Sequence, residues 1–281
     1  MTQFRRVESL SVLAVLAFLA ARPSDAGLLH PDLDLSLSAD FRSAYISSSS
    51  SVVETKPVTS QCLTGDFGLG AFGRIEGYFW IVSALSGQKD DYRRRAFNEI
   101  ETSVAYAYDW RFAKDWSLDS LAGPVLNPAI GYDSYDSGEI THEIRAIQAL
   151  SNPYLTPYYD LMAAYHPSSW MRINTGFRHV FTFFDGTLSL TPFWHVTWGD
   201  RDRYEAKFGP EPESEVLGFS PMCSMAGVWV RYYLRKHFSL YLRLQQYDVI
   251  DAHARDYEKN RDVCWAVCDY PFAVLGATLH F

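Results

Sequence analysis

From Leu33 to Arg42 the chain reads LDLSLSADFR, and its residues sort by parity into two sets. Leu33, Leu35, Leu37, Ala39 and Phe41 form one, while Asp34, Ser36, Ser38, Asp40 and Arg42 form the other. Successive side chains of an extended strand point to opposite faces, so this segment is a strand with one apolar and one polar face. The sorting returns further along. Ile100, Thr102, Val104, Tyr106 and Tyr108 alternate with Glu99, Glu101, Ser103 and Ala105, and Phe238, Leu240, Leu242 and Leu244 alternate with Ser239, Arg243 and Gln245. Period-two alternation prevails along most of the chain, which predicts an all-β protein.

Composition limits what such strands can build. The 281 residues include 18 Tyr, 18 Phe and 8 Trp, yet only 21% are charged and the mean hydropathy is −0.13. That average is too polar for a helical membrane protein of many spans, and a formal charge of −8 gives no basic footprint for a nucleic acid. The numerous rings therefore need a surface other than a helical bundle.

The N-terminus predicts the compartment. Arg5 and Arg6 precede an apolar stretch at residues 10–21, and Ser24, Asp25 and Ala26 follow with small residues where a signal peptidase reads. Residues 1–26 are read as a secretory signal peptide and residues 27–281 as the mature chain. The stretch is too short for a membrane anchor, which needs about 20 apolar residues.

Connections between the strands alternate in length. Short turns are predicted at 64–66, 111–115, 151–153, 184–186 and 235–237, and longer polar links at 47–51 and beyond, 86–95, 133–140, 166–169, 200–217 and 251–269. Outer-membrane barrels combine short periplasmic turns with longer extracellular loops, whereas a soluble sandwich has no reason to sort its loops in this way. Strands read between the links number about twelve, including 32–46, 57–63, 67–85 and 170–183. Pro124, Pro128, Pro157 and Pro192 fall inside them, so bulges or local breaks are expected there. The predicted fold is a single antiparallel transmembrane β-barrel of about twelve strands.

The chain ends FAVLGATLHF at residues 272–281, with Ala273, Leu275, Ala277, Leu279 and Phe281 on one face. This resembles the last strand of outer-membrane barrels, whose terminal aromatic residue is recognised during insertion; that likeness marks Phe281 as the insertion signal and the barrel-assembly machinery as a partner. Rings gather near predicted strand ends, among them Tyr78, Trp80, Trp110, Phe112, Trp116, Trp170, Tyr232 and Phe238, as aromatic girdles would require.

Short motifs add a family likeness. The segment DFRSAYI at 40–46 resembles the first strand of TorF-like porins, and FNEIE at 97–101 resembles a later strand of theirs. LSNPYLTPYYD at 150–160, followed by the segment 170–179, resembles another of their regions. A serine run stands where those proteins often carry Arg-Gly, and prolines interrupt several strands. The resemblance implies an outer-membrane porin-like barrel.

The polar faces predict what lines the lumen: Asp40, Arg42, Arg74, Glu76, Glu99, Glu101, Glu143, Arg145, Arg172, Arg178, Arg231 and Arg243, with Asp34, Asp119, Asp160 and His195 beside them. Two outcomes are open. The charges either tune a conducting passage or pair across the lumen and fill it. The expected function is passive diffusion of small solutes or ions, the alternative is a non-conducting structural or adhesion barrel acting through its extracellular loops, and a lipid-modifying enzyme comes third. The His-x-Ser at His166-Pro167-Ser168 falls in a predicted loop and reads as a turn, so no catalytic residue is assigned. No cofactor or metal is assigned either, because no His or Cys spacing suits one. Cys264 and Cys268 are the favoured disulfide of the last loop, with Cys223 as an alternative partner and Cys62 unpaired. The expected surroundings are the lipid bilayer and lipopolysaccharide, the latter through Arg93, Arg94 and Arg95 if that loop does more than face solvent.

Overall fold

The computed structural model describes residues 32–47, 51–54, 57–84, 99–128, 140–166, 169–208, 219–251, 255 and 269–281. Twelve long strands carry the fold: β1 (Leu33–Arg42), β2 (Val58–Gly68), β3 (Arg74–Ala84), β4 (Glu99–Ala113), β5 (Trp116–Pro128) and β6 (Ile140–Ser151), then β7 (Thr156–His166), β8 (Trp170–Arg178), β9 (Leu188–Asp200), β10 (Phe219–Arg235), β11 (Phe238–Val249) and β12 (Asp269–His280). Each pairs antiparallel with its chain neighbours, and β1 pairs with β12, so the sheet closes into a barrel with no free edge.

Closure is set by parity. Ser36, Ser38, Asp40 and Arg42 of β1 stand opposite His280, Thr278, Gly276 and Val274 of β12, and the polar face of one strand continues into the next around the ring. The other face is apolar and exposed, with Phe41, Leu63, Phe79, Val104, Leu240, Leu242, Leu244 and Leu275 turned outward. A soluble protein would have to cover such a belt.

The end that carries the short turns bears a girdle of exposed rings: Phe72, Trp110, Phe112, Trp116, Tyr154, Phe181, Phe183, Phe184 and Tyr232. Some of the rings assigned to strand-end girdles point inward instead. Tyr78 and Trp80 share the inner register of β3 with Thr64 and Cys62 of β2, and Trp170 is 6% exposed inside the barrel.

Several local expectations are corrected. The turn predicted at 64–66 is continuous strand, and the chain reverses at residues 69–73 through a 3-10 turn at Gly70–Phe72. Gly73 there has φ +89°, and a Cβ on it would lie 2.3 Å from the Ala107 carbonyl oxygen, so no other residue fits. The strand read at 32–46 ends at Arg42, and Tyr45–Ser47 pairs with Ser51–Glu54 as a separate hairpin in what was read as a serine-rich loop. The strand read at 170–183 breaks after Arg178, and Phe181–Phe183 folds back onto Leu188–Leu190. β7 ends at His166 and β8 begins at Trp170, so the link at 166–169 is short. The 200–217 link starts with a helix, α1 (Arg201–Phe208), where the Asp200 carboxylate accepts the Arg203 N–H at 2.8 Å as an N-cap.

The prolines divide. At Pro124 the β4–β5 ladder skips from Ser103↔Val125 to Tyr106↔Ala122, a local break of the expected kind. Pro157 and Pro192 keep regular register, because each lies just past the end of one neighbouring ladder, at Ala149↔Tyr158 and Arg178↔Phe193, where no donor is required.

Candidate functional site

The interior is layered along the barrel axis. At the loop end apolar side chains meet inside the wall: Met222, Cys223, Met225, Tyr247, Val249, Phe272 and Tyr204 of α1 form one cluster, Val125, Met162, Ala164 and Trp170 a second, and Val58 with Val82 a third. These residues depart from the polar inner face that the alternation of β1 and its counterparts sets. Toward the turn end the interior opens into a cavity of about 450 Å³ with Asp34, Thr64, Asp66, Glu76, Tyr78, Arg145 and His280 on its walls.

The register puts Asp40, Arg42, Arg74, Glu76, Glu101, Glu143, Arg145, Arg172, Arg178, Arg231 and Arg243 on the inner face, and the side chain of Glu99 is outside what the structure describes. Their contacts form separate groups. Around Asp40, Arg42 donates through Nε at 2.8 Å and Nη2 at 3.2 Å, Ser60 at 2.6 Å and the Tyr241 hydroxyl at 3.0 Å. Tyr241 reaches Asp40 across Gly276, where a Cβ would lie 2.4 Å from the tyrosine ring. Arg74 pairs with Glu76 at 2.7 Å and with Asp109 at 2.8 Å, and Asp66 stands 3.5 Å away. The Tyr78 hydroxyl donates to Glu101. Arg145 and Asp160 form a two-pronged pair at 2.8 and 2.7 Å. Bidentate geometry makes this the strongest type of contact in the interior.

Changing Arg145 to Gln leaves the Asp160 carboxylate, 11% exposed, facing a neutral partner. The variant is expected to lose about 2 kcal/mol, below the full cost of a broken buried pair because Arg145 is partly open to the cavity. Urea unfolding of the folded barrel checks it, and Arg145→Gln combined with Asp160→Asn is expected to lose less than Arg145→Gln alone.

Charge is not mixed evenly around the ring. The inner faces of β1 to β5 carry Asp34, Asp40, Asp66, Glu76, Glu101, Asp109 and Asp119 beside Arg42, Arg74 and Arg111. Those of β8 to β12 carry Arg172, Arg178, Arg231 and Arg243 and no carboxylate. Arg172 is 3% exposed and donates to the Met162 sulfur at 3.2 Å, while its Nε and Nη1 find no acceptor. Arg178 lies over the Tyr158 ring at 5.6 Å, and the Tyr158 hydroxyl meets His195 Nδ1 at 3.0 Å. Arg231 and Arg243 both lie against Trp229, at 4.7 and 4.4 Å from the ring centroid. Trp229, Tyr241, Asp66 and Asp109 were not singled out beforehand, although the parity that places Arg231 inside also places Trp229 there.

Among the described residues no group of three or more His, Cys, Asp or Glu could hold a metal. His166 is the last residue of β7, and Ser168 lies outside the described residues. So do Cys264, Cys268, Arg93, Arg94, Arg95 and residues 1–26. Cys62 lies on the inner face of β2 opposite Trp80, and Cys223 is buried at the loop end. Phe281 closes the seam, its N–H donating to the Leu35 carbonyl at 2.9 Å.

The fold is that of the bacterial outer-membrane β-barrels. A crystal structure of an outer membrane channel from Pseudomonas putida F1 superposes with a TM-score of 0.54 at 12% identity, over 93% of this chain and 100% of that one. More distant likenesses include the KdgM porin, with a TM-score of 0.45 at 9% identity over 88% of this chain and 99% of that one. LpxR from Salmonella typhimurium also has a TM-score of 0.45, at 8% identity over 88% and 100% of the two chains. No family model matches the sequence, and no curated protein matches it.

Proposed function

We propose that this protein is a porin-like channel of the outer membrane that lets small solutes or ions diffuse passively through its barrel, without cofactor or catalytic residue. The observation that carries this reading is the pairing of an outward apolar belt with a charged interior holding a cavity of about 450 Å³. Apolar residues outside and charged ones inside suit a wall between lipid and water. The likeness to TorF-like porins in the sequence motifs belongs to the same proposal, as do export by a signal peptide at 1–26, insertion by the assembly machinery through the C-terminal strand and contact with lipopolysaccharide.

A second reading has its own support. The apolar clusters at the loop end and the committed pairs Asp40–Arg42 and Arg145–Asp160 fill space that a passage needs, which favours a non-conducting barrel acting through its loops. Refolded protein in planar bilayers separates the two. The channel reading expects discrete steps of current in salt. Protein that shows barrel circular dichroism and heat-dependent mobility on gels but no current would leave the second reading.

A further inference from the structure

We propose that Arg231, Trp229 and Arg243 form a binding subsite inside the barrel for a small carboxylate carried on a ring. The inference rests on the reading of the interior as solute-accessible and names the class of solute it holds.

The two guanidinium groups lie against one indole ring, at 4.7 and 4.4 Å from its centroid. Among the described residues neither makes an ion pair. Nε of Arg231, Nε of Arg243 and Nε1 of Trp229 are buried without a hydrogen-bond acceptor. Buried N–H donors are nearly always satisfied, and three orphaned donors on adjoining side chains leave an unmet need for an acceptor.

The surrounding wall cannot meet that need. The inner faces of β8 to β12 have no carboxylate. Arg231 lies over the Tyr241 ring at 5.8 Å, and the two oxygens of Asp40 already accept from Arg42, Ser60 and Tyr241. Cation–π attraction to Trp229 offsets part of the repulsion between the guanidinium groups but supplies no oxygen acceptor. A planar carboxylate does. Its two oxygens suit the guanidinium fork, and its negative charge relieves the like-charge contact.

The ring of the ligand follows from the ring surfaces beside the fork. Trp229 and Tyr241 meet edge to face with centroids 5.9 Å apart, and Phe193 packs against the same cluster. Gly227, opposite Phe193 and Gln245, keeps the wall thin between them. An apolar ring bearing the carboxylate would meet these aromatic side chains beside the fork.

Benzoate is the probe, and benzyl alcohol is its neutral counterpart. Calorimetric titration of the intact barrel in detergent is expected to show benzoate binding and no benzyl alcohol binding. Arg231→Gln with Arg243→Gln is expected to weaken benzoate by about tenfold or more, the loss of charge-assisted hydrogen bonds. If that variant does not fold, Arg243→Lys keeps the charge and removes the fork, and it is expected to bind benzoate less tightly than the native chain. No benzoate binding by the native barrel overturns the proposal. Equal binding by native and glutamine-substituted folded barrels, or undiminished binding by Arg243→Lys where it alone folds, overturns it as well. Conductance is read separately: benzoate binding without current removes the channel but keeps the subsite, whereas current without benzoate binding keeps the channel and removes the subsite.

Discussion

Valine at position 176 is expected to destabilise the barrel by about 3 kcal/mol or more, the upper range for overpacking. Gly176 sits in the β8–β9 ladder opposite His195, with Tyr158 on its other side. A Cβ there would lie 2.2 Å from the Trp194 carbonyl oxygen and 2.5 Å from the His195 Cβ. The nearer obstacle is backbone, which cannot swing aside as a side chain can, so the two strands must separate locally. The Tyr158–His195 hydrogen bond spans the same point at 3.0 Å and would be lost with the shift, adding about 1 kcal/mol. Gly77→Ala is the comparison, because a Cβ at Gly77 would meet the Ser103 carbonyl at an ordinary 3.4 Å. That change is expected to stay within about 0.5 kcal/mol of the native protein. Urea unfolding in lipid vesicles, followed by tryptophan fluorescence, compares the two. Equal midpoints for both variants would show that the strands at Gly176 are not held in close approach.

Lysine at Leu242 is expected to cost about 2–4 kcal/mol in a bilayer, the range for a cation on the lipid face near mid-depth. Leu242 lies midway along β11, faces outward, and has Val230 and Leu275 beside it in register. The same substitution at Leu234, one residue from the turn-end terminus of β10, places the charge near the interface and is expected to cost at most about 1 kcal/mol. The contrast tests the surroundings of the outer face, because the two leucines are 37% and 49% exposed. In water both lysines would be nearly neutral. Similar small losses at the two positions in vesicles would mean that the belt does not meet lipid.

How much of this was legible in the residues depends on what each feature requires. Alternation in LDLSLSADFR and its counterparts places side chains on faces without reference to the rest of the chain, and the interior positions of Arg145, Arg172, Arg231 and Arg243 follow from it. Turn positions were less secure. Gly65 looked like a turn residue beside Asp66, yet it is a strand residue whose Cβ would touch the Leu35 side chain at 3.0 Å, and the reversal falls at residues 69–73. A glycine that spares space for a neighbour and one that adopts positive φ are the same letter. The α1 helix was invisible because it is short and polar and borrows its stability from packing on β8, β9 and β10.

The sequence alone determined that strands alternate in polarity, that they number about twelve, and that most of the apolar set faces away from the charged set, because a pleated strand turns each residue opposite to the one before it. Only the closed barrel decided which charges meet. Arg145 and Asp160 pair because β6 and β7 adjoin, and Tyr241 reaches Asp40 from 201 positions away because β12 presents a glycine between them. The separation of carboxylates toward β1–β5 from unpaired arginines on β8–β11 is likewise a property of the ring. Parity assigns a side chain to the interior, but register and closure choose its neighbours, and a charge acts through its neighbours.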